Sequence, residues 1–135
     1  MKKLLIITFV LISYIALSQE SVWFAKGENA YNKKEYKEAL EAFSKVIELN
    51  PKNKEANYYR GICYLYLGDI KSAISDFTQA IKLDSNWADA YNNRGLCYGY
   101  LGEVKKSVKD FEKAIALDKN FPQAYLNLGS GFGHK

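Results

Sequence analysis

One stretch of this chain occurs twice. Asn57–Asp69 reads NYYRGICYLYLGD, and Tyr91–Glu103 reads YNNRGLCYGYLGE, 34 residues further on. A fixed period of that size means supersecondary units stacked in a row rather than one globular core. Gly27, Gly61, Gly95 and Gly129 keep step at this interval, and so do Phe43, Phe77 and Phe111. The period divides the chain into residues 20–53, 54–87 and 88–121, with 122–135 opening a fourth unit.

Each unit contains two helical patterns. In the second half of the middle unit, Ile70, Ala73, Ile74, Phe77 and Ile81 fall on one face at i, i+3, i+4 spacing. The equivalent stripes are Tyr36, Ala39, Leu40, Phe43, Ile47 and Val104, Val108, Phe111, Ile115. Gly68 and Gly102 are expected to end the first helices, with new helices starting at Asp69 and Glu103. Asn50-Pro51, Asp84-Ser85-Asn86 and Asp118-Lys119-Asn120 supply breakers and N-cap candidates between units. No useful length alternates with period two, so no sheet is expected. Gly61 and Ala80 are read as the close crossing of a hairpin, where anything larger than methyl forces the backbones apart, with Phe77 filling the space beside them. One hairpin leaves an apolar face that the next must cover.

The N-terminus is of another kind. Lys2 and Lys3 precede the uncharged run Leu4–Leu17, and Ala16-Leu17-Ser18 supplies small residues before Gln19. As a helix this run rises roughly 21 Å, short of the roughly 30 Å hydrocarbon core. Residues 1–18 therefore read as a signal peptide, and the mature chain as exported, periplasmic or secreted, with no stable membrane insertion after cleavage. The alternative is an uncleaved N-terminal anchor. Without Lys2 and Lys3 the formal charge falls from +4 to +2, too little to indicate a nucleic-acid partner.

These motifs resemble the tetratricopeptide repeat family. The resemblance rests on Trp23, Gly27, Tyr31, Ala39, Phe43 and Pro51 in the first unit. It continues with Arg60-Gly61, Tyr64, Gly68, Ala73, Phe77 and Ala80, then with Arg94-Gly95, Tyr98, Gly102, Phe111 and Ala114. Ser85 and Lys119 stand where the loop proline is usual, Ser107 where Ala39 and Ala73 stand, and Val46 where Ala80 stands. The resemblance implies an all-α solenoid, a right-handed superhelix of antiparallel hairpins whose first helices line a concave wall. It also implies a non-catalytic adaptor that holds a peptide or helix of a protein partner.

On that frame the wall residues are Phe24, Glu28, Tyr31 and Asn32, then Tyr58, Ile62, Leu65 and Tyr66, then Asn92, Leu96, Gly99 and Tyr100. Some family members clamp a terminal carboxylate with Lys and Asn. Here Ile62 and Leu96 take the Asn places and no Lys stands on the wall, so an apolar or aromatic segment is the expected guest, with Glu28 favouring a basic residue. The bland reading of Tyr66 and Tyr100 is that they only cover the stack. Gly27, Gly61, Gly95, Phe43, Phe77 and Phe111 are assigned to structure. So are Arg60 with Asp76 and Arg94 with Asp110, expected to pair across each hairpin; the first unit has Lys26 and Ala42 in those slots.

Little catalytic chemistry is available. Cys63 and Cys97 are 34 residues apart on equivalent helices. Neighbouring helices lie about 8–10 Å apart, beyond the roughly 7 Å that a disulfide spans, so two free buried thiols are expected. Two such cysteines make no zinc site. His134 is the only histidine and no triad can be built from it. The glycine-rich 129–133 stretch lacks the strand and the Gly-Lys-Ser/Thr of a phosphate loop. No cofactor is expected. Tyr125, Leu126, Leu128 and Phe132 lack a second helix to pack on. The ending reads as a short lid or a piece of a longer array, with self-association through this end as the rival function.

Overall fold

A computed structural model describes residues 1–129. Seven helices follow one another: α1 (Lys2–Asn32), α2 (Tyr36–Leu49), α3 (Lys54–Leu67), α4 (Ile70–Leu83), α5 (Ala88–Tyr100), α6 (Val104–Leu117) and α7 (Pro122–Asn127). The described residues form no strand. Each helix packs on its neighbours in sequence, α3 also touches α5, and α5 touches α7. That contact pattern is a solenoid: the row of hairpins grows by translation. The sequence expectations for Phe132, His134 and the glycines at 131 and 133 lie outside the described residues.

The core repeats with the sequence. Phe43, Phe77 and Phe111 are wholly buried, together with Ala39, Ala73 and Ser107. Burying each ring stabilises the fold by roughly 1.5–3 kcal/mol. The glycines face these rings, not a facing backbone. A Cβ on Gly27, Gly61 or Gly95 would stand 2.7–2.8 Å from the ring of Phe43, Phe77 or Phe111. The expected limit of one methyl is therefore too generous, because the ring already occupies the methyl's place. Ser107 replaces alanine without loss, since its hydroxyl donates to the Gly95 carbonyl at 2.8 Å.

The loops correct the capping expectation. Asn50, Asp84 and Asp118 close the preceding helices as C-caps. Their side chains accept from the backbone N–H two residues on, at 3.1 Å in all three loops, which is an Asx turn. The N-caps are Asn53, Trp87 and Phe121, and of these only Asn53 accepts a helix N–H with its side chain. Trp87 and Phe121 stand where a polar cap would be usual and serve packing instead, in the cluster around Tyr91 and through the Tyr58–Trp87 stack. Gly68 ends α3 at φ +86°, and Gly102 follows Leu101, the C-cap of α5, at φ +77°. The matching position in the first hairpin is Lys34 at φ +62°, a left-handed conformation that costs a non-glycine residue about 1–2 kcal/mol.

α1 runs through residues 17–19 without a break. Its contacts begin near Glu20, which accepts hydrogen bonds from the Asn50 and Asn53 amides at 3.0 and 2.8 Å. Residues 1–15 are exposed throughout, and α1 is long and apolar enough to cross a membrane.

Candidate binding surfaces

The inner wall is built from α1, α3 and α5. Residues four and seven or eight apart on a helix share a face, so Tyr58, Ile62, Leu65 and Tyr66 project together from α3. With Tyr31, Asn92, Leu96 and Tyr100 they line one cavity of about 760 Å³. Eight of the predicted wall residues thus come together. Phe24 and Glu28 do not join them. They line a separate cavity of about 470 Å³ at the start of the row, with Leu17, Glu20 and Glu55. Phe24 is also half-buried in the core, edge-on to Phe43 at 5.6 Å. Asn32 and Gly99 line neither cavity. Asn32 is the last residue of α1, exposed where the chain turns towards α2.

The cavity also holds residues that the wall pattern omitted: Ile70, Asp89, Asn93, Phe121 and Gln123. Ile70, Phe121 and Gln123 come from the ends of other helices, which a face pattern drawn on first helices cannot supply. Asp89 had a legible signal, because Glu55 precedes it by one period. Among the described residues lining the two cavities there is no lysine or arginine, while Glu20, Glu28, Glu55 and Asp89 contribute carboxylates.

The rings of the wall are held in place. Tyr66 stacks on Tyr36 with centroids 4.4 Å apart and 7° between planes, yet stays 63% exposed. Tyr58 stacks on Trp87 at 4.5 Å, and its Oη accepts from Asn93 Nδ2 at 3.0 Å. Burial pushes the Tyr58 hydroxyl well above the usual phenol range, so it stays neutral. Asn92 is buried and accepts from Asn127 Nδ2 at 2.9 Å, which ties α7 to α5. Tyr100 is 61% exposed.

Behind the wall, the arginines pair as expected. Arg60 donates through Nε and Nη2 to both oxygens of Asp76, at 2.7 and 2.8 Å. Arg94 does the same to Asp110, at 2.8 Å on both bonds. Each also reaches back to the preceding hairpin, Nη1 donating to Ser44 or Thr78 at 3.3 Å. One guanidinium thus fastens its own hairpin and its neighbour. The hydrogen bonds that Arg60 donates to Asp76 raise its pKa, whereas burial lifts the Asp76 carboxyl against the pull of Arg60.

Cys63 and Cys97 are free and buried, and burial pushes both thiols up to about 12. A protonated, enclosed thiol is a poor nucleophile. Among the described residues no group of three or more His, Cys, Asp or Glu is placed to hold a metal ion.

Comparison with known proteins agrees with this geometry. Residues 55–86 and 88–121 match the tetratricopeptide repeat, and residues 21–53 match a second description of the same repeat. Among solved structures, the Arabidopsis OM64 TPR domain is similar with a TM-score of 0.84 at 26% identity, over 89% of this chain and 99% of that one. The second TPR domain of human RPAP3, in complex with the HSP70 peptide SGPTIEEVD, is similar with a TM-score of 0.82 at 27% identity, over 89% of this chain and 99% of that one. Outer dynein arm-docking complex subunit 4 of Xenopus laevis is 39% identical over 49 residues, which is 36% of this chain. The chain spans only 9% of the length of that curated relative.

Proposed function

The chain belongs to the tetratricopeptide repeat family, and we propose that it is a non-catalytic adaptor whose concave wall receives an apolar or aromatic protein segment carrying basic residues. The observation that carries this is the 760 Å³ inner cavity, walled by Tyr58, Ile62, Leu65, Tyr66, Leu96 and Tyr100, with Asp89 at its edge. Exposed tyrosines on a rigid support contribute contact area at low entropic cost. The similar RPAP3 domain holds a peptide ending in EEVD. An acidic tail of that kind needs cations, and the wall of this chain offers carboxylates instead. Similar architecture therefore serves a guest of opposite charge.

Fluorescence anisotropy with a labelled peptide alternating lysine and tyrosine tests this. The wild-type protein binds it, and Tyr66→Ala/Tyr100→Ala weakens binding by about tenfold or more. Equal binding by both proteins refutes the inner wall as the site.

A second reading rests on α7, where Tyr125 is 50% and Leu126 63% exposed. In that reading the chain stacks on itself or on a longer repeat protein through this end. Light scattering separates the two, because Leu128→Glu dissolves such an assembly and leaves an adaptor unchanged.

The reading also includes export. The exposed apolar run with Lys2 and Lys3 before it supports this, with cleavage before Gln19 as the expected processing. Mass spectrometry of the protein from an envelope fraction decides: a mature N-terminus at Gln19 supports export with cleavage, and an intact one supports the anchor.

A further inference from the structure

The outer side of the third hairpin holds a cleft of about 700 Å³ that the inner wall does not use. α5 lines it with Tyr91, Arg94 and Tyr98, and α6 with Lys106, Lys109 and Lys113. Its floor is rigid. Arg94 is spent on Asp110 by two hydrogen bonds, and Tyr91 Oη donates to the Ser85 carbonyl at 3.1 Å. The ammonium groups lie over the rings: Lys106 Nζ is 5.3 Å from the Tyr98 centroid and Lys113 Nζ is 6.0 Å from that of Tyr91. Lys106 also meets Glu103 at 2.7 Å, but both side chains are solvated and such a pair is weak. Among the described residues Lys109 has no acidic partner. With the Arg94–Asp110 pair set aside, three ammonium groups share the cleft with one carboxylate, Glu112.

The repeat itself supplies a control. One period back, Lys106, Lys109 and Lys113 become Ser72, Ser75 and Gln79, and two periods back they become Glu38, Glu41 and Lys45. The fold does not require cations there, since the same hairpin forms with neutral or acidic residues in those slots. Only the third hairpin carries the full basic set.

We propose that this cleft binds an acidic segment of a protein partner in extended form, with carboxylates on Lys106, Lys109 and Lys113. Residues three and four apart on a helix lie roughly 5–6 Å apart. Alternate side chains of an extended chain lie roughly 6.6 Å apart on one side. A segment with an acid at every second position therefore meets the lysine row nearly in register. Its intervening side chains turn the other way. The guest is opposite in charge to that proposed for the inner wall, so one molecule can hold two chemically distinct partners at once.

The test uses the full chain in a neutral detergent and a labelled decapeptide alternating glutamate and tyrosine. Wild type binds it, and binding weakens as salt rises. Lys106→Gln/Lys109→Gln/Lys113→Gln weakens it about tenfold or more, while Glu55→Gln/Asp89→Asn changes it by less than about twofold. Circular dichroism on the same samples reports helix content; if the triple variant loses it, Lys109→Gln alone carries the comparison, with weaker binding again expected. Binding that survives the lysine changes, or that is lost in Glu55→Gln/Asp89→Asn, overturns the proposal. So does binding to phosphatidylserine vesicles without binding to the peptide. The lysine–tyrosine peptide, measured in parallel, reports on the inner wall separately, so either surface can fail without the other.

Discussion

The inner wall and the outer cleft of the third hairpin share one helix, α5, yet they are chemical opposites. α5 gives Asn92, Leu96, Tyr100 and Asp89 to the inside, and Tyr91, Arg94 and Tyr98 to the outside. The inside is apolar and aromatic with one carboxylate, Asp89; the outside is aromatic with lysines. Gly95 and Phe111, which hold the stack, recur in all three hairpins, and the Arg94–Asp110 pair recurs in the second as Arg60–Asp76. Positions that face outward from either side are free to diverge. The contrast shows how a repeat separates what it must keep from what it can use.

The largest effect is expected from the layer that both surfaces share. Arg94→Ala leaves the Asp110 carboxylate enclosed without its partner and destabilises the fold by about 3–5 kcal/mol. Urea unfolding reads this, and Arg94→Met/Asp110→Leu should recover most of the loss. If the arginine change costs nothing, the pair is not what couples inside to outside.

Next comes the spacing between the two layers. Gly95→Ala places a methyl against Phe111, 2.8 Å from its ring, and costs about 1–3 kcal/mol. Its thermal midpoint should fall along with those of Gly27→Ala and Gly61→Ala. A normal midpoint for any of them shows that ring able to move aside.

The buried thiols give a pH signature for the same layer. Their folded pKa is raised to about 12, so above the usual thiol range the unfolded chain loses protons that the folded chain keeps. Stability is fully present below that range and falls as pH rises through it, by up to about 1.4 kcal/mol per pH unit per thiol. Cys63→Ser/Cys97→Ser should flatten that slope in denaturant titrations between neutral and alkaline pH.

The surfaces themselves should matter least to stability. Tyr66→Ala removes one stacked pair with Tyr36, about 0.5–1.5 kcal/mol. Lys109→Gln, exposed on the outside, should stay within about 0.5 kcal/mol of wild type. Urea midpoints check both. A large loss from Lys109→Gln would mean that the cleft holds the fold together and does not serve a partner.

Much of the fold is legible without coordinates. The 34-residue step of Gly61 and Gly95, with Phe77 and Phe111 in the same register, announces stacked hairpins. Most of the inner wall is legible too, through the family resemblance, which names Tyr58, Ile62, Leu65 and Tyr66 as the inner face of one helix. The errors have a common cause. The resemblance puts Phe24, Glu28 and Asn32 on the wall, but among the described residues the first hairpin follows the continuous helix of residues 2–19, so Phe24 and Glu28 open onto a cavity that reaches back to Leu17. Phe121 and Gln123 fall outside the pattern because they come from the N-cap and first turn of α7, not from a first helix of the three units. The outer cleft was missed because no periodicity places Lys113 over Tyr91.

By itself, the chain's sequence determined that helices would pair and pile up in a row, since a short apolar stripe repeated at a constant interval has no stable cover except its own next copy. It also determined which residues recur at that contact, because glycine and phenylalanine keep the same interval, while packing decided that the ring takes the place of a methyl on the glycine. Only the tertiary structure decided how side chains from different hairpins meet around the two cavities and the cleft. Those meetings depend on the distance and rotation between neighbouring helices, and packing in three dimensions sets both.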